Sequence, residues 1–137
     1  MQWPRILCAI RETGEFVVNI VTFELLEAMN VTSGEYDASV NEFELAKVTA
    51  VKSNFVRPDR VQESPVNFEC KLHQIIDFSP APTSSSLVIG KVVAIHVDDR
   101  YVKEGKIDRN ALDMIGRMGG IQYTRTRERV ELARPKV

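Results

Sequence analysis

One aromatic ring and two guanidinium groups lie close together in Gly116-Arg117-Met118-Gly119-Gly120-Ile121-Gln122-Tyr123-Thr124-Arg125, and further arginines follow. The adjacent glycines Gly119 and Gly120 leave the backbone open to a flat or charged molecule. Arg117 offers forked donors for phosphate or ring oxygens, and Tyr123 offers an aromatic face. The stretch therefore predicts a site for an aromatic, anionic ligand.

Simpler interpretations of the same residues stay open. A glycine pair after a helix often serves as its C-cap, and Arg117 would then interact with the dipole at the helix C-terminus. Tyr123 would be an ordinary half-buried strand aromatic. The late arginines from Arg117 to Arg134 would be charges on a solvated strand edge.

Other reactive side chains are few and scattered. Cys8 and Cys70 form no CxxC pair and no metal-like cluster with a histidine. Cys70 alternates with apolar residues and is predicted to be a small buried hydrophobe. His96 ends an apolar strand, where we expect hydrogen bonds to satisfy its ring. We expect Trp3 to pack on a core gap, and the three serines 84–86 to form a solvated turn.

The composition is that of a globular protein. The chain has 137 residues and a net charge of -1, from 18 Lys+Arg and 19 Asp+Glu. This balance gives no overall field for nucleic acid or an anionic membrane surface, so neither partner is expected. No signal peptide or membrane span is recognisable, and the sequence predicts a cytoplasmic protein of one domain, residues 1–137.

Strand patterns dominate the chain. Residues 16–21 form a compact β-branched run, and residues 66–78 and 87–97 predict two long strands joined as a hairpin. The second of these is apolar on both faces, which predicts burial on both sides, by barrel interior and helix or by a partner subunit.

Short helices are predicted between the strands. Thr22 can cap one, Ser39 and Glu42 have capping-box spacing, and Asp108 can cap a third that ends at Gly119. A last strand is predicted over residues 121–132. The fold class is therefore mainly β with short helices, which is typical of a small barrel.

Several blocks in order resemble the flavin-reductase-like family with the FMN-binding split-barrel fold. The segment from Ile10 to Asn19 is similar to the family's helix-to-strand junction. The other matching blocks are Glu27-Ala28-Met29-Asn30 with Thr32-Ser33, Asp59-Arg60-Val61-Gln62-Glu63-Ser64-Pro65, Phe68-Glu69-Cys70-Lys71-Leu72, Leu87-Val88-Ile89-Gly90-Lys91-Val92-Val93, and Gly116-Arg117-Met118-Gly119-Gly120 with Tyr123. The resemblance spans residues 10–135.

The resemblance implies a split β-barrel, a homodimer, and FMN bound near the subunit interface. It implies hydride transfer from NADH or NADPH to flavin, with the flavin supplying the redox chemistry. No catalytic side chain and no metal are then expected. The implied FMN-binding residues are Arg117, Gly119, Gly120 and Tyr123.

The chain departs from the family at its start. The family's first barrel strands have no counterpart here, so the resemblance implies a truncated or divergent member. A Lys-Asp-Thr element that helps to hold the FMN phosphate is replaced by Pro4, Arg5 and Ile6. Arg5 would restore one cationic contact. The alternatives are a non-catalytic remnant that dimerises or binds flavin weakly and, more remotely, a binder of haem or another cofactor.

Overall fold

The computed structural model describes residues 5–78 and 85–136. Within these ranges the chain is mainly β with short helices, which confirms the predicted fold class. Trp3, Pro4 and Ser84 of the predicted serine turn lie outside the described residues, while Ser86 begins β5. The elements are α1 (Arg5–Thr13), β1 (Glu15–Asn19), a 3-10 turn (Phe23–Leu25) leading into α2 (Leu26–Thr32), α3 (Glu42–Leu45), β2 (Ala50–Val51), β3 (Arg60–Val61), β4 (Val66–Asp77), β5 (Ser86–Val97), a 3-10 turn (Asp99–Tyr101), β6 (Val102–Lys103), β7 (Lys106–Ile107), β8 (Ile115–Gly119) and β9 (Gln122–Arg125).

An antiparallel sheet with the order β1-β4-β5 forms the centre of the fold. β4 pairs with β5 from Val66 opposite Val97 to Asp77 opposite Ser86, which confirms the predicted hairpin. β1 pairs only with residues 67–71 of β4. The outer half of the hairpin therefore extends beyond β1.

The three strands meet around Phe16, Cys70 and Gly90. A Cβ at Gly90 would lie 2.4 Å from Phe16 Cζ and 3.3 Å from Cys70 Cβ, so glycine leaves room for the ring. Cys70 is 3% exposed, and burial raises the pKa of its thiol. The predicted role as a buried hydrophobe is confirmed, since a nucleophilic thiol needs a lowered pKa.

The predicted helix-to-strand junction is also present. α1 buries Leu7 and Ile10, and Gly14, with φ +68°, ends it by donating its N–H to Ile10 O at 2.9 Å. The chain then enters β1. Arg11 holds α1 to the outer half of the hairpin through a contact of 2.7 Å to the Asp77 carboxylate.

Two of the predicted short helices differ from what the structure shows. α3 forms, but Asn41 caps it by accepting from Phe43 N, while Ser39 bonds to Asp37. The predicted helix from Asp108 to Gly119 is wrong.

Asp108 starts only a turn, accepting from Asn110 N at its carboxylate and from Ala111 N at its carbonyl. Met114 then bridges to Thr22 in an antiparallel contact. Pairing with a segment about ninety residues away in the sequence thus overrides the local capping signal.

β5 is a long strand as predicted, but this chain does not bury both of its faces. Leu87 is 47% exposed, Val92 47% and Ile95 58%. Phe78, at the outer end of the hairpin, is 69% exposed. An apolar surface of this kind is typical of a face that another structure covers.

Candidate functional site

The glycine- and arginine-containing stretch forms a two-stranded hairpin, β8–β9, which we call the arm (Ile115–Arg125). Arg117 is directly opposite Tyr123 in the register. Directly opposed residues share a face of the ladder, with their Cβ atoms about 5 Å apart. The arm thus places the side chains of Arg117 and Tyr123 on one face, and Tyr123 is the half-buried strand aromatic of the simpler interpretation. Arg117 lies on a strand, not at a helix C-terminus.

The glycine pair lies at the arm's turn, so its interpretation as a helix C-cap is wrong. Gly119 has φ +107° and Gly120 φ +53°. A Cβ built on either residue would meet nothing within 4 Å. The space beside this backbone is open to an approaching molecule. Arg117 Nη2 donates to Gly120 O at 3.3 Å, which ties the guanidinium group to the turn.

The base of the arm is fixed by an ionic cluster. Asp113, with φ +40°, bonds to Arg125 and Arg127 at the foot of β9. The two guanidinium groups hold the pKa of Asp113 well below its usual range. Arg125 also lies over the Phe23 ring, 3.7 Å from its centroid, which is a cation–π arrangement. The predicted last strand is therefore shorter than residues 121–132, since β9 ends at Arg125.

Arg5 lies in a different place from the arm residues. Its Nη1 donates to Asp37 O, Val40 O and Glu42 Oε1 at 3.3–3.5 Å. Its described hydrogen bonds all use that one nitrogen. The rest of its donor fork is what would reach a phosphate. The structure therefore brings Arg117, Gly119, Gly120 and Tyr123 together, but not Arg5.

Sequence reasoning missed a buried carboxylate and its histidine partner in the central sheet. Glu69 is fully buried and accepts from Asn54 N at 2.8 Å and Phe55 N at 2.6 Å. His96 Nε2 lies 2.6 Å from Glu69 Oε1, so the prediction of a hydrogen-bonded His96 is confirmed. Burial alone would raise the pKa of Glu69, but these hydrogen bonds outweigh it and lower the pKa.

A second polar cluster lies at the end of β1. Asn67, 3% exposed, donates to Asn19 Oδ1 at 2.8 Å and accepts from Arg60 Nη1 at 3.2 Å. Asn19 also borders a largely apolar cavity of about 210 Å³ beside α2. The sequence signal for both clusters is a polar residue, Glu69 or Asn67, inside β4, the strand that pairs on both of its edges. A polar side chain buried at such a position needs hydrogen-bond partners.

Within residues 5–78 and 85–136, no group of three or more His, Cys, Asp or Glu side chains is placed to hold a metal ion. Over the same ranges, no helix is both long and apolar enough to cross a membrane.

Comparison with known proteins identifies the family. Residues 2–115 match the family model of the flavin reductase like domain, and the chain belongs to that family. An uncharacterized protein of Aquifex aeolicus is 35% identical over 117 residues, which cover 85% of this chain and 58% of that protein. The predicted family is confirmed.

Solved structures agree on the fold. Nitrilotriacetate monooxygenase component B from Bacillus cereus superposes with a TM-score of 0.86 at 30% identity, covering 94% of this chain and 65% of that one. A putative flavin reductase with a split barrel domain from Shewanella frigidimarina gives 0.81 at 28% identity, with 94% and 65% covered. The fold is therefore that of the flavin-reductase-like split-barrel proteins, of which this chain spans about two thirds.

Most of the arm lies beyond the family match. The matched residues end at Ile115, where β8 begins. The residues predicted to bind a ligand in the arm thus rest on their own geometry.

Proposed function

We propose that this chain is part of a flavin-binding oxidoreductase that holds FMN against the arm. The observation that carries the proposal is the pairing of Arg117 with Tyr123 beside two glycines whose backbone is open. A flat, anionic ring system needs an aromatic face, a forked cation and unobstructed backbone, and the arm offers all three. The arm residues therefore fit one side of an FMN molecule.

The chemistry would come mainly from the cofactor. Flavin, when it is bound, would accept a hydride from NADH or NADPH. Tyr123 would lie against the ring system, Arg117 would donate to phosphate or ring oxygens, and Gly119 and Gly120 would allow close approach. Arg5 would donate to the phosphate through the part of its fork that faces away from segment 37–42. These roles are binding and orientation, which is what the protein contributes in such enzymes.

A second candidate function is a non-catalytic flavin binder or dimerising protein. Two observations favour it. Arg5 is already engaged by segment 37–42. The arm residues also line neither of two cavities that the described residues form, one beside Ile107 and Arg129 and one beside α2. Hydride transfer needs both rings held in a rigid pocket, so the candidate residues of this chain alone do not define one.

A flavin titration tests binding. We expect FMN fluorescence to be quenched on addition of the chain, and Arg117→Ala to weaken binding by about 1.5–3 kcal/mol, the contribution of a hydrogen bond to a charged group. Arg134→Ala, an exposed arginine outside the arm, is the matched control. Equal affinities for wild type and Arg117→Ala would remove Arg117 from the site.

A turnover assay separates the two candidates. We expect NADH or NADPH oxidation with added FMN to be weak for the chain as it stands, because only one wall of the flavin site is defined. Steady turnover well above the rate without protein would contradict the non-catalytic candidate. Binding without turnover would support it.

Assembly and location belong to the same proposal. We propose a homodimer, supported by the exposed apolar residues of β5, and a cytoplasmic protein. Sedimentation at micromolar concentration showing only monomer would exclude the dimer.

A further inference from the structure

A cavity beside α2 takes no part in the proposed flavin site. It has a volume of about 210 Å³ and lies between the end of β1, helix α2, the residues after α3, and β3. Its walls are mostly apolar, with Val21, Met29, Val48 and Val61 among them. None of the seven residues of α2, all of them described, is fully buried. The helix therefore covers a space that the described side chains leave unfilled.

Asn19 brings a hydrogen-bond donor of fixed orientation to this cavity. Its Oδ1 accepts from Val61 N at 3.0 Å and from Asn67 Nδ2 at 2.8 Å. A backbone N–H can only donate, so the oxygen of the Asn19 amide must be the atom beside Val61. Among the hydrogen bonds of residues 5–78 and 85–136, the nitrogen of that amide has no acceptor. Its N–H groups are therefore available to a molecule in the cavity.

Asn67 and Arg60 hold the Asn19 amide in place. Asn67 is 3% exposed, its Oδ1 accepts from Arg60 Nη1 at 3.2 Å, and its Nδ2 donates to Asn19. The hydrogen bonds thus run in one direction, from a guanidinium group through two amides. A chain of this kind polarises each successive donor. Asn67 and Arg60 are therefore positioning residues for the Asn19 N–H groups.

The lining of the cavity determines what kind of molecule fits. Besides Asn19, the polar side chain on the described wall is Thr32, whose hydroxyl donates to Met29 O at 2.8 Å. No charged side chain is among the described lining residues, so an ion would be costly to bury there. An apolar cavity of about 150 Å³ can take up benzene. The volume of about 210 Å³ therefore suits one ring with a short substituent.

We propose that this cavity binds a small, neutral ring compound whose carbonyl oxygen accepts a hydrogen bond from Asn19 Nδ2. The ring packs against the apolar side chains of α2 and β3. The site is separate from the proposed flavin site and does not rest on it, since no residue of the arm is among the described lining residues. It adjoins the foot of the arm, because Val21 lines the cavity and its carbonyl accepts from Ile115 N at 3.2 Å.

Two probes of similar size test the hydrogen bond in the full chain: acetophenone, which has a carbonyl group, and ethylbenzene, which has none. We expect both to bind saturably in a titration followed by ¹H–¹⁵N NMR, and acetophenone to shift the side-chain amide signals of Asn19. Asn19→Asp keeps an acceptor for Val61 N and Asn67 Nδ2 but removes the donor. It should weaken acetophenone binding about two- to ten-fold, as the loss of one hydrogen bond predicts, and leave ethylbenzene binding unchanged.

A second variant tests the cavity itself. Ala28 lines it, so Ala28→Leu should fill part of the space and weaken the binding of both probes at least ten-fold. Ala9→Leu, at an exposed position of α1, is the matched control and should bind both probes like the wild type. Circular dichroism checks that each variant is folded. Benzoate, an anion of the same size, should not saturate the cavity.

Four results would overturn the proposal: no saturable binding of acetophenone, equal effects of Asn19→Asp on both probes, unchanged binding by Ala28→Leu, or benzoate binding as tight as that of acetophenone. Probe binding that weakens as the protein concentration rises would show that a second copy fills the cavity, and would also overturn it. We expect FMN not to displace acetophenone. Displacement would assign the cavity to flavin, whereas probe binding without any FMN binding would contradict the proposed function alone.

Discussion

Glu69 shows at the scale of a single residue how the sheet fixes a loop. Its carboxylate is fully buried and accepts the backbone N–H groups of Asn54 and Phe55, while His96 completes its shell. The loop between β2 and β3 is thus held against β4 by one side chain. Buried carboxylates persist when such partners satisfy them.

Replacing Glu69 by Gln should destabilise the protein. An amide has a single acceptor oxygen, so one backbone N–H would lose its partner, and we expect a loss of about 3 kcal/mol in the free energy of unfolding. Chemical denaturation measures it. Glu12→Gln, on the exposed side of α1, should change little, and similar losses for both variants would contradict this role of Glu69.

Glu69 also makes the free energy of unfolding depend on pH, in a direction that its pKa determines. The pKa of Glu69 in the folded state lies below its ordinary value of 4.5, so the unfolded chain takes up the proton first. Its stabilising contribution is complete above about pH 4.5 and is lost as the pH falls through the lower, folded-state pKa. The stability difference between wild type and Glu69→Gln should therefore shrink on acidification. A difference that is constant from neutral to acidic pH would argue against a lowered pKa of Glu69 in the folded state.

At the scale of elements, Gly90 determines how β1 crosses the hairpin. Gly90→Ala would place a methyl group against the Phe16 ring, and we expect destabilisation by about 1–3 kcal/mol from overpacking. Gly116→Ala is the matched control, because its Cβ would have only an ordinary contact of 3.4 Å to Thr124. Thermal unfolding compares the two, and Phe16→Leu should recover part of the loss at Gly90.

The elements also show what could be predicted from the sequence. The β4–β5 hairpin and the α1–β1 junction follow from local patterns, namely apolar alternation and a turn glycine. The arm could not be predicted in the same way, because Asp108 carries a helix-capping signal. The extended course of the chain there depends on the bridge from Met114 to Thr22. Local propensity is a weak guide where distant segments pair.

The candidate site was predicted in composition but not in arrangement. The grouping of Arg117 with Tyr123 followed from spacing in the sequence. The engagement of Arg5 by Glu42 joins residues 37 positions apart in the sequence through an ion pair of 3.4 Å, which no spacing reveals. Alternation with Phe68 and Cys70 would put Glu69 on a polar face of β4. The loop between β2 and β3 covers that face, because Asn54 N and Phe55 N donate to the Glu69 carboxylate.

At the scale of the whole molecule, the exposed apolar residues of β5 offer the surface for the proposed self-association. Added sodium chloride screens exposed charges but leaves apolar contacts in place, so association through β5 should hold or strengthen between low and high ionic strength. Sedimentation equilibrium across a salt series measures this, and association that weakens several-fold with added salt would argue against β5 as the dimer surface.

The pairing of the central sheet has a consequence for the order in which the chain assembles. β4 and β5 are joined by a short connection, whereas β1 reaches β4 only after the 46 residues between Asn19 and Val66 are enclosed. Closing the larger loop carries the greater entropic penalty. We therefore expect the β4–β5 hairpin to be an early unit of folding, with its amides gaining protection in pulsed hydrogen exchange before those of β1. Phe16 would then be the last large ring to enter the sheet, settling over Gly90 on a surface that already exists.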